Sequence, residues 1–133
     1  MIEGGRTRMS ALIVEDDHTL SAIGADFLAE LDLDVQQFRT AEDAIERLQA
    51  LGGSVAVLLA DIRLPGAMDG LSLARRVSVL WPSVSLIVTS GGPEPDDMPD
   101  RCVFVPKPWR GLDIVAAAER FARDDHTVHS IRL

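Results

Sequence analysis

Short apolar runs and helical periods alternate along the chain. Short runs of apolar residues, which are typical of strands buried on both faces, occur at residues 11–14, 55–60, 84–88 (interrupted by Ser85) and 102–105, with a weaker strand candidate within 33–38. Between these runs, apolar residues recur at three- and four-residue spacing, which predicts helices near residues 20–31, 41–51, 71–80 and 112–122. Strands that alternate with helices predict an α/β fold whose parallel sheet is covered on both faces.

Several residues mark where these helices begin and end. Asp17, Thr40 and Asp69 are of the types that favour the position before a helix, where the side-chain oxygen accepts a hydrogen bond from a backbone amide. Gly52 and Gly53 are suited to end the second helix.

The segment between the fourth and fifth strands interrupts the alternation. Residues 90–100 contain Pro93, Pro95 and Pro99, and a proline inside a helix costs about 3 kcal/mol. We therefore expect a loop there, or at most one short helical turn, where a helix would complete the pattern.

Length and composition limit the remaining interpretations. The 133 residues predict one domain at 9–123, with a flexible leader at 1–8 and a flexible C-terminal tail at 124–133. The net charge of −8 argues against a nucleic-acid partner and against an anionic membrane surface. Cys102, a single cysteine, excludes an intramolecular disulfide framework. Because the sequence shows neither a membrane-spanning run nor a signal-peptide core, the expected location is the cytoplasm.

Polar residues follow the predicted strands at the edge where an open α/β sheet binds its ligands. In chain order they are Glu15, Asp16 and Asp17, then Asp61, then Thr89 and Ser90, and finally Lys107.

These residue types together suit the chemistry of phosphate and a hard metal ion. Two carboxylates about 4 Å apart repel each other by about 4 kcal/mol at an effective dielectric constant near 20, so a cluster of them needs a cation. Oxygen ligands with room for water favour Mg²⁺. Thr89 and Lys107 can each contact a phosphate oxygen. Asp61 is the natural nucleophile, because it stands alone at the end of the most buried strand.

Four segments, in order, carry a resemblance to a known family: LIVEDD at 12–17, LLADIRLPGAMDG at 58–70, LIVTSG at 86–91 and FVPKPW at 104–109. From about residue 11 to residue 121 the chain resembles the receiver domain of two-component response regulators, the phosphoacceptor domain paired with histidine kinases. The resemblance implies a flavodoxin-like (βα)5 fold, a doubly wound five-stranded parallel sheet of order 2-1-3-4-5, with the fourth helix shortened or missing.

The resemblance also implies a role for each site residue. Asp61 would be the phosphoacceptor and a ligand of Mg²⁺. Asp16 would be a direct ligand of the ion, Glu15 would act mainly through water, and the backbone carbonyl of Arg63 would be a further ligand.

The remaining implied roles concern the response to phosphate. Thr89 would be the switch hydroxyl, Lys107 the phosphate-binding ammonium and Phe104 the switch aromatic. The Lys107–Pro108 peptide bond would be cis. Cys102 and Trp109 have no implied role, and we expect Cys102 to be buried and Trp109 to be partly exposed.

The sequence departs from the usual receiver pattern in three places. The loop at 61–70 is one residue longer, the segment at 89–107 is shorter, and Pro106 precedes Lys107. The residues for chemistry are retained, whereas the surface that commonly signals output is altered.

The leading hypothesis is a stand-alone, single-domain response regulator. A histidine kinase or histidine phosphotransfer protein would phosphorylate Asp61, with Mg²⁺, and so change the binding of an unknown downstream protein; dimerisation stays open. The domain would catalyse its own phosphotransfer and dephosphorylation without being an enzyme in the ordinary sense. The alternative is a receiver-shaped interaction module that signals independently of phosphorylation. A phosphate-releasing enzyme is disfavoured because Arg63 stands where such hydrolases carry a second aspartate.

Overall fold

The computed structural model describes residues 8–132, and side chains for residues 8–121. Strands and helices alternate in the order β1 (Ser10–Val14), α1 (His18–Ala29), β2 (Asp34–Phe38), α2 (Ala41–Leu51), β3 (Val55–Asp61), α3 (Gly70–Leu80), β4 (Ser85–Ser90), β5 (Cys102–Pro106) and α4 (Gly111–Arg132). A single 3₁₀ turn at Gly52–Ser54 links α2 to β3. Every predicted strand and helix is present.

The five strands form one parallel sheet in the order β2-β1-β3-β4-β5. The strand order implied by the resemblance is therefore confirmed. β1 and β3 lie at the centre, so the residues that follow them are close neighbours at the carboxyl edge of the sheet.

The hydrophobic core is divided between the two faces of the sheet. Alternate residues of each strand point to opposite faces. Leu12, Leu58 and Leu86 belong to the cluster that packs with α2 and α3. Ile13 and Leu59 belong to the other cluster, which packs with α1 and α4. The fully buried strands thus explain why their sequences read as short apolar runs.

Three helices begin at the residues that the sequence predicted. Asp17, Thr40 and Asp69 each accept a hydrogen bond from the backbone amide three residues further on, at 2.8–3.2 Å. Gly52, with a φ of +58°, ends α2. That left-handed conformation favours glycine because it has no Cβ.

An extended segment at residues 91–101, which we call the strap, connects β4 to β5 without a helix. The loop predicted from the prolines is therefore confirmed, as is the loss of the family's fourth helix. Met98 packs against the core cluster of α2 and α3, as do Cys102 and Phe104 of β5. Asp97 of the strap pairs with Arg75 of α3. The strap thus covers the part of the sheet that a helix would otherwise cover.

The last helix is longer than the sequence pattern predicted. α4 continues to Arg132, whereas its apolar period ends near Ala122. Residues 123–132 contain no proline or glycine, so nothing in them stops a helix. The predicted end of this helix is wrong, and the flexibility of the tail stays a prediction.

Residues 1–7 of the predicted leader lie outside the described residues. Within the part described, no helix is long and apolar enough to cross a membrane.

Gly111 provides a test of how α1 and α4 pack together. A Cβ at Gly111 would lie 2.1 Å from the Phe27 ring, closer than carbon atoms can approach. We expect Gly111→Ala to destabilise the protein by about 1–3 kcal/mol, the usual cost of overpacking. Thermal unfolding measures the loss. Gly53→Ala is the matched control, because a Cβ there meets no atom within 4 Å. Equal melting temperatures for the two variants would contradict this packing.

Candidate functional site

Three charged side chains meet at the carboxyl edge of the sheet. Lys107 Nζ lies 2.7 Å from Asp61 Oδ2 and 3.1 Å from Glu15 Oε1. Glu15 follows β1 and Asp61 ends β3, so sheet order makes the two acids neighbours. Lys107 follows β5, on the far side of β4, and its long flexible side chain spans that distance. The topology therefore brings together three of the residues that the sequence singled out.

Backbone amides fix both carboxylates. Asp61 Oδ1 accepts a hydrogen bond from the Arg63 amide at 3.1 Å, and Glu15 Oε2 accepts one from the Asp17 amide at 3.0 Å. Both acids are buried. The Lys107–Asp61 contact is also a hydrogen bond, whereas Glu15 Oε1 makes no well-directed hydrogen bond among the described residues. We therefore regard the Lys107–Glu15 contact as an ion pair only.

Gly70 allows α3 to begin directly against the backbone of Asp61. A Cβ at Gly70 would lie 1.9 Å from the carbonyl oxygen of Asp61. The Gly70 amide donates to the Ile62 carbonyl at 2.9 Å, which closes the loop between β3 and α3. A second contact holds this loop: Glu42 of α2 accepts hydrogen bonds from the amides of Ala67 and Met68, at 3.1 and 2.9 Å. The sequence analysis missed Glu42, which no strand end marks.

Burial and charge shift the pKa values of two site residues. Burial raises the pKa of Glu15, and the nearby charge of Asp61 adds to this, although the Asp17 amide and Lys107 oppose it. For Lys107, burial by itself lowers the pKa, but pairing with Asp61 and Glu15 outweighs burial and raises it above 10.5. Lys107 is therefore an ammonium at neutral pH, and its stabilising contribution is lost only as the pH rises through that elevated value.

Thr89 lies opposite Asp61 in the register of β3 and β4. Its side chain is 1% exposed, and its Oγ1 has no hydrogen-bond partner among the described residues. A buried hydroxyl without a partner is costly, so this group is suited to donate to a bound anion. The neighbouring Ser90 accepts a hydrogen bond from the Gly92 amide at 3.0 Å, which is a local role in the turn.

Asp16 is the predicted ligand that the structure does not bring to the others. Its Oδ1 accepts hydrogen bonds from Arg39 Nε and Nη2, at 3.2 and 2.8 Å, on the solvent side of the site. In the described part of the chain, no three acidic, histidine or cysteine side chains converge on a metal position. The sequence analysis missed Arg39, although it follows β2 at the same edge where residues after the other strands were considered.

The donor chemistry at the site nevertheless fits a hard divalent ion. Glu15 and Asp61 present buried carboxylate oxygens, and Glu15 Oε1 makes no directed hydrogen bond to a described residue. Carboxylate and carbonyl oxygens are the ligands that Mg²⁺ prefers. Completing the predicted set requires an ion to bind Asp16 while Arg39 holds its Oδ1, or to displace Arg39 from that oxygen.

The segment around Lys107 contains the remaining predicted residues. The Lys107–Pro108 peptide bond is cis, as the resemblance implied. Phe104 is partly buried and packs on the α2 and α3 face of the sheet. Trp109 is 7% exposed, so the prediction that it is partly exposed is wrong. It belongs to the core cluster that packs with α1 and α4, and its ring lies close to Gly24 of α1. Cys102 is only partly buried, and burial raises the pKa of its thiol to about 12.

Comparison with protein families identifies the family to which the chain belongs. A family model for the response regulator receiver domain matches residues 11–118. The chain belongs to this family. The match begins in β1 and ends within α4, so it includes the three-residue cluster of Glu15, Asp61 and Lys107.

Individual relatives include both short and long proteins. The chain is 31% identical over 114 residues to the response regulator receiver protein CpdR of Brucella abortus, covering 82% of this chain and 92% of CpdR. It is 32% identical over 87 residues to the transcription factor SKN7 of Chaetomium thermophilum, covering 65% of this chain and 11% of SKN7. It is 29% identical over 107 residues to the sensor kinase CckA of B. abortus, covering 75% of this chain and 11% of CckA. The chain thus spans only a small part of the two longer relatives.

Solved structures share the fold. A response regulator receiver protein from Sinorhizobium medicae superimposes with a TM-score of 0.75 at 21% identity, covering 85% of this chain and 93% of that one. A CheY-like receiver domain protein from Methanospirillum hungatei gives a TM-score of 0.76 at 20% identity, covering 91% and 98%.

The raised pKa of Glu15 leads to a prediction about stability. Because the folded state holds the Glu15 proton more tightly than the unfolded chain, ionisation costs stability as the pH rises from 4.5 through the folded-state pKa. We expect Glu15→Gln to raise the melting temperature at pH 7 by roughly 2–6 °C, the shift that about 1 kcal/mol gives in a domain of this size. The gain should shrink as the pH falls towards 4.5.

Thermal unfolding of both proteins between pH 4 and pH 8 measures this difference. Glu46→Gln, which changes an exposed carboxylate on α2, is the control and should stay within about 0.5 kcal/mol of the wild type. A lower melting temperature for Glu15→Gln at pH 7 would show that the ion pair with Lys107 outweighs the cost of burial.

Proposed function

We propose that Asp61 accepts a phosphoryl group from the phosphohistidine of a histidine kinase or a histidine phosphotransfer protein, and that this changes the binding of a downstream protein. The observation that carries the proposal is the buried Asp61 carboxylate, held by Lys107 and placed opposite Thr89, whose hydroxyl has no partner among the described residues. Membership of the receiver family and similarity to CpdR and to a sensor kinase support it. The proposed compartment is the cytoplasm, where ATP supplies such kinases.

The chemical step is a transfer between two nucleophiles. An oxygen of Asp61 attacks the phosphorus, a P–O bond forms and the P–N bond to the donor imidazole breaks. The electron pair of that bond returns to the imidazole nitrogen. Asp61 Oδ1 stays fixed by the Arg63 amide, so Oδ2 is the oxygen that attacks once Lys107 releases it.

The neighbouring side chains then receive the phosphoryl oxygens. Lys107, which contacts Asp61 Oδ2 before the reaction, transfers its charge-assisted contact to a phosphoryl oxygen. Thr89 donates its hydroxyl proton in a hydrogen bond to another oxygen. Phe104, three residues before Lys107, would change its packing on the sheet face as Thr89 moves. In this proposal Thr89 is the switch hydroxyl and Phe104 the switch aromatic.

Mg²⁺ is the proposed cofactor. The carboxylates of Glu15, Asp16 and Asp61 and the backbone carbonyl of Arg63 would hold it, and bound there it would neutralise charge on the phosphoryl oxygens. The protein is then a phosphoacceptor that catalyses its own phosphorylation and dephosphorylation, without acting on a separate substrate.

A second candidate function is an interaction module that signals without phosphate. The strap favours it, because a proline-rich segment replaces the helix between β4 and β5 and alters the face through which phosphorylation would be signalled. Beryllofluoride, a phosphoryl mimic, separates the two candidate functions. If the domain is an interaction module that signals without phosphate, it should not respond to beryllofluoride.

Intact-protein mass after incubation with a small acyl-phosphate donor tests Asp61 directly. We expect one phosphate to be added to the wild type with Mg²⁺, and none without it or in Asp61→Asn. Asp69→Asn is the matched control: Asp69 caps α3 nearby, and asparagine caps a helix as well as aspartate does. Labelling that persists in Asp61→Asn would refute the assignment, and failure of the wild type to take phosphate or beryllofluoride would favour the second candidate.

Thr89→Val tests the proposed donor hydroxyl. Since that hydroxyl has no described partner in the resting protein, valine should leave the melting temperature unchanged or raise it. We expect beryllofluoride affinity with Mg²⁺ to fall roughly 10- to 100-fold, the loss of one hydrogen bond to a charged group. Ser90→Ala, which removes the adjacent hydroxyl, should cost less than threefold. Equal losses for the two variants would argue against a special role for Thr89.

A further inference from the structure

The pairing of β2 with β1 places Arg39 beside the proposed metal site. β1 and β2 are paired up to Val14 and Phe38, and the Glu15 amide extends the pairing by donating to the Phe38 carbonyl at 3.0 Å. The residues that follow the two strands therefore leave the sheet side by side. Arg39 and Asp16 meet there, at the outer rim of the acidic edge.

Arg39 makes two hydrogen bonds to Asp16. Nε and Nη2 of Arg39 both donate to a single oxygen of Asp16, at 3.2 and 2.8 Å. The arginine side chain is 64% exposed and the aspartate side chain 47% exposed. An exposed pair of this kind is worth little to the fold, so it can open without unfolding the surroundings. A cavity of about 150 Å³, lined by Glu15, His18 and Arg39 among others, lies next to it.

Every acid proposed to bind Mg²⁺ thus has a cation of the chain as its partner. Lys107 pairs with the two buried carboxylates, Glu15 and Asp61, and Arg39 pairs with Asp16. The two cations differ in position, because Lys107 is largely enclosed and Arg39 faces solvent. A divalent ion that binds Asp16 would either displace Arg39 from Oδ1 or share the carboxylate with it, and in both cases it would bind against the guanidinium charge.

We propose that Arg39 competes with Mg²⁺ for Asp16 and so lowers the affinity of the site for the metal. Arg39 is then a positioning residue, because it acts through Asp16 and touches neither the phosphorus nor the acceptor oxygen. The inference rests on the proposed function, which supplies the metal site. It adds that the occupancy of that site depends on a residue at the end of β2, outside the cluster that performs the chemistry.

Metal affinity measured without any phosphoryl donor tests the inference. Mg²⁺ is titrated into the wild type, Arg39→Ala and Arg39→Lys, and binding is followed by the NMR shifts of backbone amides flanking Asp61. We expect the dissociation constant of Arg39→Ala to fall about two- to fivefold, the range for loss of one exposed ion pair. Arg39→Lys keeps the charge without the planar fork, so its affinity should lie between the other two.

Arg47→Ala is the matched control for loss of positive charge. Arg47 is an exposed residue of α2 whose Nε donates to Gln36 at 2.7 Å, and its removal changes the net charge as Arg39→Ala does. Its effect on Mg²⁺ affinity should stay below twofold. Equal tightening in the two alanine variants would attribute the change to net charge and overturn the inference.

A double-mutant comparison shows whether the effect passes through Asp16. In an Asp16→Asn background, Arg39→Ala should no longer tighten Mg²⁺ binding. Tightening that persists in this background would overturn the inference. Beryllofluoride binding to the wild type, measured alongside, separates the two failures. Wild type that binds Mg²⁺ and beryllofluoride, with Arg39→Ala unchanged, contradicts the inference alone. Absence of binding in all variants contradicts the proposed function and the inference together.

Discussion

The site depends on one ammonium group held between two buried carboxylates. Lys107 lies within 3.1 Å of both Glu15 and Asp61 and joins the ends of β1, β3 and β5. Buried charges are costly unless they are paired, and two neighbouring acids without a cation would repel each other strongly. The sheet order is therefore a condition of the site, because it places the ends of β1 and β3 side by side and the end of β5 within reach of a lysine side chain.

The same ion pairs determine which contacts a ligand would have to replace in order to bind. The acids already have cationic partners in Lys107 and Arg39, so a divalent ion or a phosphoryl group rearranges existing ion pairs. The hydroxyl of Thr89 is the exception, since it is buried and has no partner among the described residues. In the proposed function, such a rearrangement would change contacts of residues on or next to β2, β4 and β5 together.

The strap gives this receiver domain a different surface between β4 and β5 from one that carries a helix there. Met98 and the β5 residues Cys102 and Phe104 all pack on the core cluster shared with α2 and α3. The pairing of Arg75 with Asp97 ties the strap to α3. Phe104 and the strap therefore rest on the same core cluster, with no helix between β4 and β5.

The sequence by itself determined the strands and helices, and it located the polar residues that follow the strands at one edge of the sheet. Apolar period, capping residues and prolines are local signals, so they can be read without the fold. The sequence predicted the strands, the starts of α1, α2 and α3, and the absence of a helix at residues 91–101. Only the tertiary structure decided which charges meet. That Asp16 pairs with Arg39 depends on β2 lying beside β1, and Trp109 is buried in the core cluster that packs with α1 and α4. Such contacts join residues far apart in the chain, and local patterns carry no record of them.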